Sequence, residues 1–323
     1  AAQAAVGTMI AHYDRESTGE GQHVDVAAQS AIIITMQNAV PFWFLNKEIL
    51  RRVGPYRAGL TKVPQRQVWS CKDGFVSFNI IGGTLAAGGA NALNHYLDRD
   101  IDEVMMRTRG RPVPGRRVSP HHALAFGVAL NVLAFGLFAA WVNLLSAALS
   151  VSATLFYVFV YTMWLKRSTP QNIVIGGAAG AIPPLVGWAA ITGGLALPAF
   201  YLFAIIFFWT PPHFWALALM IMKDYARAGV PMLPVVMGVE ETKRAILLYS
   251  TLLVALTLMF FTIQSVGWLY LASASILGAI FIYLSFRLLR GHGVQGARRL
   301  YLFSLLYLAL LFTAIMVDSS LRL

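Results

Sequence analysis

The sequence predicts an all-α membrane protein, a polytopic bundle of transmembrane helices preceded by a truncated segment of soluble type. Of its 323 residues, 58% are hydrophobic and 12% are charged, and the mean hydropathy is +0.64. Charged residues make up about a quarter of a typical soluble domain, so this chain is too apolar to be one. The apolar residues also form repeated runs of about 20, the length at which a helix crosses the hydrocarbon core of a bilayer. These observations exclude soluble dehydrogenases, hydrolases and DNA-binding modules.

Eight apolar segments have the length of a membrane-spanning helix. They are residues 77–97, 122–142, 144–165, 173–192, 197–221, 245–263, 266–287 and 300–317. The loops on one side of these spans together hold sixteen Lys and Arg, and the loops on the other side hold none. The basic loops are residues 98–121, 166–171, 222–244 and 287–299. Because cytoplasmic loops collect Lys and Arg, we expect a multi-pass protein of the cell inner membrane with its long loops on the cytoplasmic face. The net charge of +11 is then a topology signal and does not indicate a nucleic-acid surface.

Residues 1–81 differ in character from the rest of the chain. They hold six acidic and eight basic residues and no uninterrupted apolar run of spanning length. Residues 22–26 alternate between polar and apolar, which is typical of a half-exposed strand. Residues 27–45 are moderately apolar, but their polar side chains and Pro41 make them a poor membrane span. The single cysteine, Cys71, excludes an internal disulfide.

An acidic cluster lies at the end of the first predicted span, and the positive-inside rule does not account for it. Asn94, Asp98 and Asp102 are spaced at i, i+4 and i+8, so on a helix they share one face. Carboxylates four residues apart repel each other unless a cation lies between them. An oxygen-only site with one or two carboxylates suits Mg²⁺, which completes its shell with water and substrate phosphates. The alternative is a solvated helix end.

Basic residues on the same predicted membrane face accompany this cluster. They are Arg107, Arg109, Arg111, Lys166, Arg167 and Lys223. Arginine offers a planar fork of donors that matches phosphate oxygens. Asp224 follows another long span on the same face. Two acidic helix ends surrounded by cations predict a pocket for a metal-bound polyanion, such as a diphosphate whose lipid chain lies among the helices.

Polar residues inside the predicted spans are few, and a polar group at that depth is a candidate for function. His213 follows Pro211 and Pro212, which predict a kink. The glycine-rich residues 176–184 allow close approach of the backbone. Tight helix packing and a satisfied histidine are the alternatives. Several aromatic residues offer π faces that can shield a carbocation, or serve as ordinary packing: Tyr157, Tyr161, Trp164, Trp209 and Trp215.

Four motifs in order carry a resemblance to a known family. They are residues 94–112 (NHYLDRDIDEVMMRTRGRP), 164–172 (WLKRSTPQN), 210–215 (TPPHFW) and 224–234 (DYARAGVPMLP). Together they resemble the protoheme IX farnesyltransferases, or heme O synthases, of the UbiA superfamily of intramembrane prenyltransferases. The resemblance covers residues 82–323 and implies a UbiA-like bundle with about eight of the family's nine helices.

The resemblance implies a reaction and a set of site residues. A farnesyl group would pass from farnesyl diphosphate to the 2-vinyl group of heme b, and water would complete heme O for heme–copper oxidases. Mg²⁺ would be the cofactor, with Asn94, Asp98, Asp102 and Asp224 as its ligands. The catalytic residues would be Asp98, Asp102, Asp224, Lys166 and Arg167. The substrate-binding residues would be Asn94, Arg107, Arg109, Arg111, Tyr161, Lys223 and, on the heme side, His213. The implied partners are both substrates, the bilayer, and heme A synthase or oxidase assembly proteins downstream, with no nucleic acid.

This sequence departs from the resemblance at two places. Ala228 stands where the superfamily often has a second aspartate, which puts a second metal ion in doubt. The first helix is also missing, and residues 15–26 and 69–74 instead resemble a fragment of the family III CoA-transferases. We therefore expect a non-functional CoA-transferase-like fragment over 1–81 and a prenyltransferase domain over 82–323. A transporter, a heme-binding protein without chemistry, and an inactive chimera are the alternative functions.

Overall fold

The computed structural model describes residues 68–71 and 74–321, which form a short β-hairpin followed by a helical bundle. Strands β1 (Val68–Cys71) and β2 (Gly74–Ser77) pair in antiparallel fashion. The helices are α1 (Phe78–Leu97), α2 (Arg99–Val104), α3 (Pro120–Trp141), α4 (Leu144–Ser168), α5 (Asn172–Ala181), α6 (Pro183–Thr192), α7 (Leu197–Met220), α8 (Met222–Arg227), α9 (Leu233–Val236), α10 (Gly238–Ile263), α11 (Trp268–Arg290) and α12 (Ala297–Leu321). The strand predicted at 22–26, the weak span at 27–45 and most of the CoA-transferase-like fragment lie outside the described residues.

The predicted all-α membrane bundle is confirmed. Within the described part of the chain, seven helical stretches are long and apolar enough to cross a membrane, namely α3, α4, α5 with α6, α7, α10, α11 and α12. Helix α1 has 20 residues but is not one of the seven, and it carries Asn79, Asn91, Asn94 and His95. The chain is therefore a multi-pass membrane protein, and its first helix is the least apolar of the eight predicted spans.

Polar side chains cap the N-termini of α3 and α4. The Ser119 side chain accepts a hydrogen bond from the backbone N–H of His122, which caps α3 in front of Pro120. The Asn143 side chain caps α4 in the same way, through the N–H of Ser146 at 2.8 Å. Such caps satisfy backbone donors that have no partner inside the helix.

Helix α1 packs along α3 at a point where both helices have glycine. A Cβ atom on Gly89 would lie 2.8 Å from the carbonyl oxygen of Gly127, and one on Gly127 would lie 2.8 Å from Cγ of Leu93. Small residues let membrane helices approach until their backbones touch. This crossing fixes α1, whose last turn carries Asn94 and which is followed directly by Asp98.

The other helices pack around α7, which contacts α5, α10 and α12 and is the most buried of the spans. Helix α7 runs without interruption through Pro211 and Pro212, so the predicted kink does not break it. Proline is tolerated inside membrane helices when neighbouring helices hold the backbone in place. The glycine-rich segment 176–184 contains a break, between α5 and α6 at Ile182 and Pro183.

Candidate functional site

The acidic cluster lies where α1 meets α2. The backbone N–H of Asp98 bonds to the carbonyl of Asn94, and that of Asp102 to the carbonyl of Asp98, each at 2.8 Å. The helical spacing therefore continues across the junction, and the three side chains share one face as predicted. They are 5%, 0% and 2% exposed, respectively, so the cluster is buried and is not a solvated helix end.

Asp98 has one carboxylate oxygen with partners and one without. Its Oδ2 accepts hydrogen bonds from Asn94 Nδ2 and from Lys166 Nζ, at the end of α4. Its Oδ1 is buried, lies 3.8 Å from an Arg167 nitrogen, and accepts no hydrogen bond within the described residues. A buried carboxylate oxygen is costly unless it is paired or coordinates a metal. Oδ1 of Asp98 is therefore a position where a bound cation would be stabilised.

Asp102 has a different partner. Nη1 of Arg111 lies 3.1 Å from Oδ1 and 2.8 Å from Oδ2 of Asp102, so one nitrogen contacts both carboxylate oxygens. Arg111 belongs to the loop between α2 and α3 and is partly exposed. Arg111, which was predicted to bind substrate, therefore neutralises the buried carboxylate of Asp102.

Arg167 is held by a carboxylate that the sequence analysis did not select. Its two terminal nitrogens lie 2.6 and 2.8 Å from the oxygens of Asp100, and Nη2 also donates to the carbonyl of Leu97. The hydrogen bonds from Arg167 lower the pKa of Asp100 to about 2. Asp100 is exposed, and its only sequence signal is its place between two acids of the motif. Arg167, predicted as catalytic, therefore braces the end of α4 against α2.

Asp224 lies in α8, and its carboxylate is 3.4 Å from Nη1 of Arg227. Lys223 beside it is exposed. Across residues 68–71 and 74–321, no three His, Cys, Asp or Glu side chains converge on a position that would hold a metal ion. The four predicted metal ligands are thus not gathered into one closed protein site.

Arg107, in the loop after α2, lies near Tyr225 of α8. Burial raises the pKa of Tyr225, and the neighbouring charge of Arg107 opposes that rise. Tyr225 is 8% exposed and was not predicted as a site residue. Arg107 and Arg109 are both exposed, which leaves their guanidinium groups open to solvent on this face.

A cavity of about 530 Å³ lies within the bundle beside the acidic cluster. It is lined mainly by small and apolar residues of α1, α4, α5, α6 and α7. Asn91, one turn before Asn94, lines the cavity, and so do Tyr157, Tyr161 and Trp209. The cavity therefore extends into the membrane from a point one helical turn from Asn94 and about two turns from the Asp98 carboxylate.

The aromatic residues suggested by the sequence separate into two groups. Tyr157 and Tyr161 stack on each other with ring centroids 5.4 Å apart, in the π-helical part of α4, Phe156–Leu165. By contrast, Trp164 is 64% exposed, and Trp215 is buried edge-on against Tyr249 outside the cavity. Tyr161, predicted to bind substrate, lines the cavity.

His213 does not line the cavity. It is 6% exposed, its Nδ1 lies 2.7 Å from Oγ of Ser304, and its ring stacks between Trp209 and Tyr301. Its Nδ1 atom and both faces of its ring therefore contact other residues of the protein. Ser304 and Tyr301 lie about 90 residues away in sequence, so no local pattern pointed to them.

The chemistry of the donors fits Mg²⁺ even without a closed protein site. Asn94, Asp98 and Asp102 supply oxygen ligands only, and among the described residues Oδ1 of Asp98 has no hydrogen-bond donor. Mg²⁺ takes one or two carboxylates and draws its other ligands from water and substrate phosphates. The site is therefore suited to a metal that arrives with a diphosphate.

The profile of the UbiA prenyltransferase family matches residues 70–313, about three quarters of the chain. The chain belongs to the UbiA prenyltransferase family. Two relatives named protoheme IX farnesyltransferase are each 54% identical to it. The relative from Roseiflexus sp. (strain RS-1) matches over 243 residues, 75% of this chain and 46% of that protein. The relative from Gloeobacter violaceus matches over 241 residues, 74% of this chain and 79% of that protein.

The chain spans about half the length of the Roseiflexus relatives that it matches. Solved structures of UbiA proteins share the fold at low identity. A digeranylgeranylglyceryl phosphate synthase has a TM-score of 0.69 at 17% identity, over 91% of this chain and 95% of that one. A UbiA homologue from Archaeoglobus fulgidus bound to DMAPP and Mg²⁺ has a TM-score of 0.55 at 15% identity, over 92% and 97% of the two chains.

The profile of CoA-transferase family III matches residues 1–111. This match overlaps the UbiA match between residues 70 and 111, and so includes α1, the acidic cluster and Arg111. The N-terminal similarity to CoA-transferases is confirmed, while the domain boundary at residue 81 and the absence of activity in this fragment stay predictions.

Proposed function

We propose that this UbiA-family chain transfers the farnesyl group of farnesyl diphosphate to the 2-vinyl group of heme b and so makes heme O. The observation that carries the proposal is the buried Asn94–Asp98–Lys166 cluster beside an apolar cavity of about 530 Å³. This arrangement suits a molecule with an anionic head and a long apolar chain. The choice of farnesyl and heme is supported by the 54% identity to proteins named protoheme IX farnesyltransferase.

The diphosphate would bind at the acidic cluster together with Mg²⁺. Asn94 and Asp98 would hold the metal through their side-chain oxygens, and Asp102 and Asp224 are the further oxygen ligands that the sequence predicts. The Archaeoglobus fulgidus homologue, bound to DMAPP and Mg²⁺, supports this pairing of metal and prenyl diphosphate. When bound, Mg²⁺ would supply positive charge that stabilises the departing diphosphate.

The chain's own cations would act on the same charge. Lys166 lies against Asp98, and Arg107, Arg109 and Lys223 are exposed on the loops of this face. As the C1–O bond of farnesyl diphosphate breaks, its electron pair moves to the diphosphate. Lys166 is already held against Asp98, so it would stabilise this developing charge without having to reorganise.

The cavity would bind the farnesyl chain and exclude water from the allylic cation. Tyr157, Tyr161 and Trp209 line it and offer π faces that attract a positive charge. The vinyl carbon of heme b would form the new C–C bond, and water would add to the neighbouring carbon with loss of a proton. A dry wall protects the first cation until the vinyl group reacts.

We further propose that these loops face the cytoplasm at the inner membrane. Basic residues fill the loops next to the acidic cluster, and those between the opposite ends of the helices hold none. Heme b and farnesyl diphosphate would then enter from the cytoplasmic face or the adjoining leaflet.

The test is to express the chain in a host that lacks its own heme O synthase and to measure extracted hemes by mass. We expect heme O from the native chain and none from Asp98→Asn, because that change removes the carboxylate that holds the metal. Glu103→Gln is the matched control, since Glu103 is an exposed acid of the same short helix and should leave activity unchanged.

Membrane content of both variants is measured by immunoblot, so that loss of protein is not mistaken for loss of chemistry. Heme O from Asp98→Asn at the native rate would contradict the metal assignment. A native chain that accumulates normally and leaves only heme b would contradict the proposed reaction and favour a heme-binding or transport role.

A further inference from the structure

The surroundings of His213 indicate a role that the motif alone does not reveal. Its imidazole stacks on the indole of Trp209, with ring centroids 4.3 Å apart and planes inclined by 18°. On the other side it stacks on Tyr301 at 4.7 Å and 23°. Phe214 meets its edge at 5.1 Å. Aromatic rings therefore cover both faces of the histidine, which is only 6% exposed.

Ser304 of α12 holds both rings of the first stack. The Trp209 Nε1–H donates to the backbone carbonyl of Ser304 at 2.7 Å. The Ser304 hydroxyl donates to the carbonyl of Tyr301 at 2.6 Å, so its oxygen accepts from His213 Nδ1 at 2.7 Å. One residue thus fixes the indole and the imidazole relative to each other, across the contact between α7 and α12.

Of the two stacked rings, Trp209 lines the cavity and His213 does not. His213 covers one face of the indole. A molecule bound in the cavity would therefore contact the remainder of the Trp209 ring. An indole offers the strongest π face for a cation among the protein side chains. The position of Trp209 therefore matters for a reaction that passes through an allylic cation.

We infer that His213 is a positioning residue that fixes Trp209 as the aromatic wall of the prenyl cavity, and that it is not a ligand of the heme iron. The inference rests on the proposed function, since it assigns Trp209 to the farnesyl cation. Iron could reach only Nε2 of His213, because Nδ1 is bonded to Ser304 and two rings cover the faces of the imidazole. The ring is 6% exposed and does not line the cavity, so that nitrogen is not presented to a molecule bound there.

The experiment compares purified native protein with His213→Phe, His213→Leu and Trp209→Leu. Phenylalanine keeps a flat ring between Trp209 and Tyr301 but has no nitrogen to bind iron, whereas leucine removes the ring. We measure heme O formation, farnesol released from farnesyl diphosphate, and the Soret band of added ferric heme. Phe261→Leu is the control, because Phe261 packs against Trp268 in a tilted contact and does not line the cavity.

The expected results distinguish a histidine that positions the cavity wall from a histidine that binds the heme iron. His213→Phe should lower kcat by no more than about threefold, whereas His213→Leu and Trp209→Leu should lower it about tenfold, the effect of losing one or two stacked ring contacts. The two leucine variants should also raise the ratio of farnesol to heme O, because water reaches a cation whose wall has moved. Phe261→Leu should leave that ratio unchanged, and the Soret band should be the same in every variant.

Two results overturn the inference. One is a Soret band that shifts equally in His213→Phe and His213→Leu, with equal loss of heme O, since that pattern identifies an iron ligand. The other is a farnesol ratio in His213→Leu no different from the native ratio. Failure of the proposed function is distinct, because in that case the native protein itself forms no heme O.

Discussion

At the scale of single residues, three successive acids of α1 and α2 each have a cation from another part of the chain. The pairs are Asp98 with Lys166, Asp100 with Arg167 and Asp102 with Arg111. These pairs offset the repulsion that carboxylates on neighbouring turns would otherwise exert on each other. The net charge of these three pairs is therefore small. A diphosphate that binds together with its metal ion brings negative and positive charge that largely cancel.

The Arg111 pair gives a stability prediction. Arg111→Gln leaves the buried carboxylate of Asp102 without a cationic partner, and a buried charge that loses its partner is costly. We expect the free energy of unfolding to fall by about 2 kcal/mol, below the usual range because Arg111 is partly exposed. Thermal unfolding in detergent measures the change.

Arg109→Gln is the control for this change, since Arg109 is exposed in the same loop. It should alter the unfolding free energy by less than about 0.5 kcal/mol. Equal effects of the two changes would show that Arg111 does not stabilise Asp102 in the folded protein.

The Asp100–Arg167 pair gives a prediction for pH. The pKa of Asp100 is lowered to about 2 by the hydrogen bonds from Arg167, from an ordinary value of 3.8. A lowered folded-state pKa stabilises the protein above pH 3.8, and that contribution is lost as the pH falls through 2. We expect Asp100→Asn to cost at most about 1 kcal/mol, because the pair is exposed.

Chemical unfolding of the native protein and Asp100→Asn at several pH values tests this prediction. The difference in stability between them should be constant from pH 5 to 8 and shrink below pH 4. A difference that grows as the pH falls would contradict the sign of the pKa shift. Added salt should reduce the difference at neutral pH, since exposed charges are screened.

At the scale of elements, a glycine face of α5 makes room for the aromatic residues of α4. A Cβ atom on Gly176 would lie 2.2 Å from Cδ2 of Tyr161, a distance that no real contact allows. The π-helical geometry of Phe156–Leu165 sets the direction in which Tyr161 projects, and π segments occur often at functional sites. The shape of the cavity wall therefore depends both on glycine at position 176 of α5 and on the π-helical geometry of α4.

Gly176→Ala tests this match. The added methyl group should displace the Tyr161 ring into the cavity and lower the rate of heme O formation at least tenfold. Gly180→Ala is the control on the same helix and the same cavity, because a Cβ there meets nothing within 4 Å. Alanine favours the helix by up to about 1 kcal/mol, so Gly180→Ala should be neutral or slightly stabilising. Equal activity of the two variants would contradict the assigned contact.

The helices of this bundle were predictable from sequence, while their pairing was not. Runs of apolar residues and the i, i+4 spacing of Asn94 and Asp98 are local signals, and both predicted features are present in the structure. The partners of Arg167 and His213 depend on how helices distant in sequence pack. Hydropathy carries no information on that packing, so these contacts within the protein could not be predicted, and the roles of Arg167, Arg111 and His213 toward substrate stay predictions.

At the scale of the whole molecule, α1, the least apolar of the predicted membrane spans, lies where the matches to two unlike families overlap. The CoA-transferase and UbiA profiles overlap between residues 70 and 111, and α1 lies inside that overlap. If α1 crosses the membrane and the basic loops are cytoplasmic, the residues before it lie on the opposite side. Seven Lys and Arg between residues 47 and 72 oppose that placement, because such charges favour the cytoplasm.

The only cysteine of the sequence, Cys71, makes this conflict measurable, since it lies just before α1 and needs no background mutations. We expect a membrane-impermeant maleimide to label Cys71 in intact spheroplasts, because the aligned carboxylates require α1 to lie in the bundle with its end at the basic loops. A Cys71→Ser chain carrying Ser119→Cys, an exposed position in a basic loop, should react only in inverted vesicles. Labelling of Cys71 in inverted vesicles alone would mean that the seven charges prevail and that α1 packs beside α3 without crossing the membrane.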